Sequence, residues 1–140
     1  MRLNLLQLLF AVSLTPLTAA LQTIYLAYLA SSGSPHFIAF FSDSNPCTDG
    51  TLFGYTPEGF EDCNEDLTIL GHQNITFTGC KPTTAFPFSL PTGVADNGAP
   101  ALKCKPASNP PGGPYGDYAN CAYTPSAAIV GPVSLLEFCS

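Results

Sequence analysis

In Gln73-Asn74-Ile75-Thr76-Phe77-Thr78-Gly79-Cys80, polar and apolar side chains alternate from Asn74 to Thr78. A period of two is that of a half-buried β-strand, so Ile75 and Phe77 face a core while Asn74, Thr76 and Thr78 face water. Strict alternation would leave Cys80 on the wet face. Gly79 is therefore expected to end or bulge the strand and turn the sulfur toward a partner. Asn74-Ile75-Thr76 is also an acceptor sequon for an N-linked glycan, which matters only in a chain that enters a secretory lumen.

The N-terminus supplies that passage. Met1-Arg2, the apolar run from Leu3 through Leu14, Pro16 and the small-residue exit Thr18-Ala19-Ala20 have the order of a secretory signal peptide. Its apolar core is too short to span a bilayer, and no later stretch has the roughly twenty apolar residues of a membrane helix. Residues 1–20 are read as the signal and residues 21–140 as one secreted cysteine-rich domain.

Six cysteines, Cys47, Cys63, Cys80, Cys104, Cys121 and Cys139, all follow the signal. An even count in an oxidising compartment predicts three disulfides, whose pairing the sequence cannot choose. Their spacings do not match a zinc knuckle, and His36 and His72 lie far from any cysteine pair, so no metal or other cofactor is expected.

Four basic residues stand against ten carboxylates, and the single arginine, Arg2, leaves with the signal. A phosphate backbone or an anionic membrane needs clustered Lys or Arg, so neither nucleic acid nor membrane is an expected partner. Low total charge with many apolar residues also argues against disorder.

Leu21–Ala30 is apolar on both faces and reads as a central strand, and Phe37–Phe41 as a second that could pair with it. Further strands are expected at Leu52–Tyr55, Leu67–Leu70, the sequon, Leu102–Lys105, Tyr118–Tyr123 and Val133–Phe138. Residues 43–50 read as a loop, and residues 56–66 as a helical turn or loop. Residues 81–100 and 105–117 read as long Pro/Gly-rich loops. The fold class is mainly β, a small disulfide-stapled antiparallel sandwich or barrel.

Glu58, Glu61, Asp62, Glu65 and Asp66 form the obvious carboxylate cluster. A glycosidase needs two carboxyl groups facing each other across a bond, whereas these crowd one segment of a chain without tryptophan. A solvated acidic face is the expectation, with weak calcium binding or hydrolysis as its rivals. Asp43-Ser44-Asn45 through Asp49-Gly50 has only the broken register of a calcium loop. His36 and His72 read as turn residues, and no Gly-x-Ser-x-Gly elbow is present. Tyr115, Tyr118 and Tyr123 flank the Pro/Gly loop and are the candidate binding residues, with packing onto the sheet as the alternative.

With its signal at 1–20, scattered cysteines, acidic balance and loops such as Lys81-Pro82-Thr83-Thr84-Ala85-Phe86-Pro87, the chain resembles the small secreted cysteine-rich proteins of filamentous fungi. Many of those act as effectors toward a host plant or as elicitors of its defence. The resemblance is one of composition and carries over no functional residues. The expectation is an extracellular, non-enzymatic, effector-like protein that binds an extracellular protein. The alternatives are a wall-associated or polysaccharide-binding protein and a small hydrolase using the acidic cluster.

Overall fold

The computed structural model describes residues 20–29, 36–56, 59–60, 62–82, 89–107, 117–124 and 129–140. β1 (Ile24–Leu29) and β2 (His36–Phe41) form the expected antiparallel hairpin, with Tyr25 opposite Phe40 and Tyr28 opposite Phe37. Ile24 and Leu26 join one buried cluster, Ala27 and Leu29 another. Both faces of β1 are covered, as a strand apolar on both sides requires.

The next segment is not the plain loop its composition suggests. Pro46–Asp49 forms one helical turn, α1, with proline at its start. Asn45 Oδ1 accepts from Cys47 N at 2.9 Å, and Asp49 Oδ2 accepts from Asn45 N at 3.0 Å. The oxygens that hinted at a calcium loop thus cap a helix. Gly50 follows because a Cβ there would lie 2.6 Å from Ile38 Cγ2 and 2.8 Å from Ile129 Cδ1, so a side chain would lift α1 off the sheet.

β3 (Thr51–Phe53) pairs with β2, and two short strands, β4 (Tyr55–Thr56) and β5 (Gly59–Phe60), pair with each other. β6 (Asp66–Ile69) and β7 (His72–Thr78) make a hairpin in which Ile75 and Phe77 are buried and Asn74 is exposed, as the alternation predicts. β7 stops at Thr78, Gly79 takes φ +67°, and Cys80 turns to Cys63.

Residues 81–100 correct the expectation of one long loop. β8 (Lys81–Pro82), β9 (Ser89–Leu90) and β10 (Gly93–Asp96) lie within it, and β11 (Ala99–Pro106) begins there. Asn97 and Gly98 take φ +49° and +78°, the left-handed pair that closes a tight hairpin between β10 and β11. β12 (Asp117–Cys121) ends before Tyr123, shorter than expected, while β13 (Gly131–Cys139) outruns its predicted span. Of the long loop expected at 105–117, residues 108–116 lie outside the described residues.

The main sheet runs β3-β2-β1-β13-β11-β10-β7-β6, antiparallel throughout, with β12 also on β13. Its two edges curl toward each other. Phe53 on β3 meets Phe77 on β7 with ring centroids 6.1 Å apart, and Gly54 N donates to Asp62 Oδ2 at 3.3 Å. The result is a nearly closed antiparallel barrel, mainly β and disulfide-stapled. The small sheet β4-β5-β9-β8 brings Phe60 to its interior cluster, 5.1 Å from Phe77 and 5.5 Å from both Phe37 and Phe53.

Every cysteine is paired, Cys47–Cys121, Cys63–Cys80 and Cys104–Cys139, with sequence separations of 74, 17 and 35. By chain-entropy reasoning the longest loop contributes about 4 kcal/mol and the shortest about 3 kcal/mol.

Candidate functional site

Two surface regions and one buried group carry chemistry. The first region is the outer face of the hairpin β1–β2. Ala27, Leu29, Ile38, Phe40 and Val133 form a second buried cluster there, outside the barrel interior, with Cys121 and Ile129 against it. α1 and β12 cover this layer, and Cys47–Cys121 joins one to the other.

Tyr118 belongs to the cover. Its ring lies 5.9 Å from Tyr25 and 5.6 Å from Phe40, and Tyr25 meets Phe40 edge-on at 5.5 Å. Burial first, and the neighbouring Tyr25 second, push the Tyr118 hydroxyl above its ordinary pKa. Tyr118 is thus packed onto the sheet and half-buried. Tyr123, two positions beyond Cys121, is 78% exposed. Tyr115 lies outside the described residues.

The second region is the corner where the tips of the β6–β7 and β10–β11 hairpins meet. β7 holds one residue more than β6 between the register pairs Leu67↔Ile75 and Ile69↔His72, a bulge in which Asn74 takes φ +58°. Asn74 Nδ2 donates to Asn97 Oδ1 at 2.8 Å, Asn97 N donates to Asn74 O at 3.0 Å, and Asn97 Nδ2 donates to Asp96 Oδ1 at 2.7 Å. The same Asp96 oxygen stands 3.3 Å from His72 Nε2, an ion pair when His72 is protonated. Two grooves, of about 420 and 530 Å³, open at this corner and share Ala20 and Leu21 as lining.

Two members of the acidic cluster are absorbed by structure, and Glu65 is exposed. Asp62 Oδ2 accepts from Gly54 N, and Asp66 Oδ1 accepts from Thr76 Oγ1 at 2.8 Å, so both brace strand ends. Glu58 and Glu61 lie outside the described residues. His36 begins β2 and His72 begins β7. No cluster of three or more metal-ligating side chains occurs among the described residues, and none of their helices is long and apolar enough to cross a membrane.

Sequence reasoning missed Glu137. It is 3% exposed, and its Oε2 has no hydrogen-bond partner among the described residues. Its register partner Leu26 faces the barrel interior, and so does its neighbour Leu136, because a bulge in β13 leaves Leu136 without a partner on β1. Burial pushes the Glu137 carboxyl from 4.5 up to about 8, which keeps it neutral in acidic and neutral solution. The signal available in sequence was a lone acid within the apolar run Val133–Phe138.

Comparison with protein-family models, curated proteins and solved structures yields no significant match for this chain.

Proposed function

We propose that this chain is a secreted, non-enzymatic, effector-like protein that recognises an extracellular protein through its outer surface. The observation that carries the reading is Tyr123: a large ring, 78% exposed, held two residues from a disulfide that fixes the strand before it. An exposed tyrosine on a rigid support loses little conformational freedom on binding and presents both an apolar ring and a hydrogen-bonding tip. The interior adds support, because Phe37, Phe53, Phe60 and Phe77 fill the barrel where a carrier would hold its ligand. The three disulfides suit a chain that works outside the cell.

A wall-polysaccharide reading is the second candidate, favoured by the same Tyr123 ring, which could stack on a sugar. Co-sedimentation of the purified, oxidised protein with chitin, β-glucan, cellulose and plant wall separates the two. A protein recognising protein stays in the supernatant and frees no sugar. Pelleting with one polymer would replace the proposal with the wall-binding reading, and released sugar would replace it with the hydrolase.

A further inference from the structure

The corner built by Asn74 and Asn97 has a use that protein recognition does not require. Asn74 is exposed between buried Ile75 and the hairpin tip, and the bulge at φ +58° swings it toward the β10–β11 turn. Its Nδ2 lies 2.8 Å from Asn97 Oδ1, and Asn97 lines the groove of about 530 Å³. Asp96, Ala99, Pro100 and Leu102 line the same groove with Leu21 and with Ala20, which leaves with the signal, so in the secreted chain it pairs polar acceptors with an exposed apolar floor and is open at that end. Its mixed lining matches a sugar ring that has hydroxyls on its rim and an acetamido methyl.

We propose that an N-linked glycan on Asn74 lays its first N-acetylglucosamine in the groove along the β10–β11 hairpin, so that the protein fills this groove with its own modification. The inference rests on the secretory passage assumed above. In the transfer, the Asn74 Nδ2–C1 bond forms as the C1–oxygen bond of a lipid-linked pyrophosphate oligosaccharide breaks, the lipid pyrophosphate leaves with that electron pair, and Nδ2 gives one of its two protons to a base of the transferring enzyme. The proton it keeps still donates to Asn97 Oδ1, so the sugar is added without breaking that bridge. The glycan then covers the hairpin that the exposed residues Ala99, Pro100 and Ala101 leave bare.

The test is intact-mass analysis and backbone hydrogen exchange on the full chain made in a eukaryotic secretory host and purified from medium and from cells. Three forms are compared: untreated, trimmed enzymatically to one N-acetylglucosamine, and Asn74→Gln, with unglycosylated wild type made in a bacterial periplasm as the reference for exchange. The expected result is a glycan mass absent from Asn74→Gln, and exchange at residues 97–102 several-fold slower in both glycosylated forms. A Thr76→Ser variant, which keeps the sequon and the hydroxyl that bonds Asp66, should match the wild type. A chain of bare polypeptide mass, in either fraction, overturns the proposal. So does a glycosylated chain whose hairpin exchanges as fast as unglycosylated wild type made in a bacterial periplasm, which keeps the Asn74–Asn97 bridge that Asn74→Gln removes. Whether the chain reaches the medium is a separate readout and judges secretion alone.

Discussion

Glu137 lies directly opposite Leu26 in the β1–β13 pairing, so a carboxyl shares the barrel face of a fully buried leucine. Opposite residues of an antiparallel pair project to the same side. Tyr28 is the titratable neighbour on that face of β1. Lys103 and Lys105 of β11 are exposed, and Lys105 pairs with Phe138, whose partner Tyr25 belongs to the outer layer. With no cation among the described residues turned toward it, the acid is accommodated by staying protonated.

This arrangement predicts a barrel most stable in acid. The folded carboxyl titrates near 8 and the unfolded one near 4.5, so folding takes up a proton between these values. The stabilisation is complete below pH 4.5 and is lost as pH rises through 8, at up to about 1.4 kcal/mol per pH unit. Denaturant midpoints at pH 5, 6.5 and 8 should fall in that order for the wild type. In Glu137→Gln they should nearly coincide, and at pH 8 the variant should be the more stable. A pH-independent wild-type midpoint would show that water reaches the carboxyl.

The longest staple should matter more than the shortest. Replacing Cys47 and Cys121 with serine frees a loop of 74 residues and uncouples α1 from β12, so the loss should reach about 4 kcal/mol. Protease cleavage near Tyr118 should rise with it. Replacing Cys63 and Cys80 opens a separation of 17 and should cost about 3 kcal/mol. Denaturant titration of both double variants checks the order.

Leu70 takes φ +48° at a hairpin tip and is 43% exposed, a left-handed conformation that a bulky side chain rarely adopts. The other tip uses Asn97-Gly98 for the same geometry. Leu70→Asn should therefore raise stability by about 0.5–1 kcal/mol, read as a higher melting temperature. An unchanged or lower value would mean that the leucine's contacts with the neighbouring groove outweigh its backbone strain.

Where one face or both faces of a strand were plainly apolar, the fold was legible. The sequon strand, the first hairpin and the alternation of Leu102 and Cys104 with Lys103 and Lys105 follow from period two and are found so. Asn97-Gly98 was a strong hairpin signal submerged in its Pro- and Thr-rich surroundings, and weighing it alone would have recovered β10 and β11. Disulfide pairing and the inward turn of Glu137 depend on which strands neighbour β13, and local pattern contains no such information. The tyrosines were ambiguous for a related reason. Composition places rings near a loop, whereas the contact of Tyr118 with Tyr25 joins strands far apart in sequence.

That contact also changes the mutation that tests recognition, since Tyr118→Ala would open the aromatic layer while Tyr123→Ala removes an exposed ring. The most direct measurement is binding by wild type and Tyr123→Ala to the extracellular protein that the wild type captures, with denaturation midpoints recorded alongside. The account predicts an unchanged midpoint and binding weakened about tenfold or more, as for a tyrosine at an interface centre. Equal affinity of the two proteins would contradict it and remove the Tyr123 face from the function.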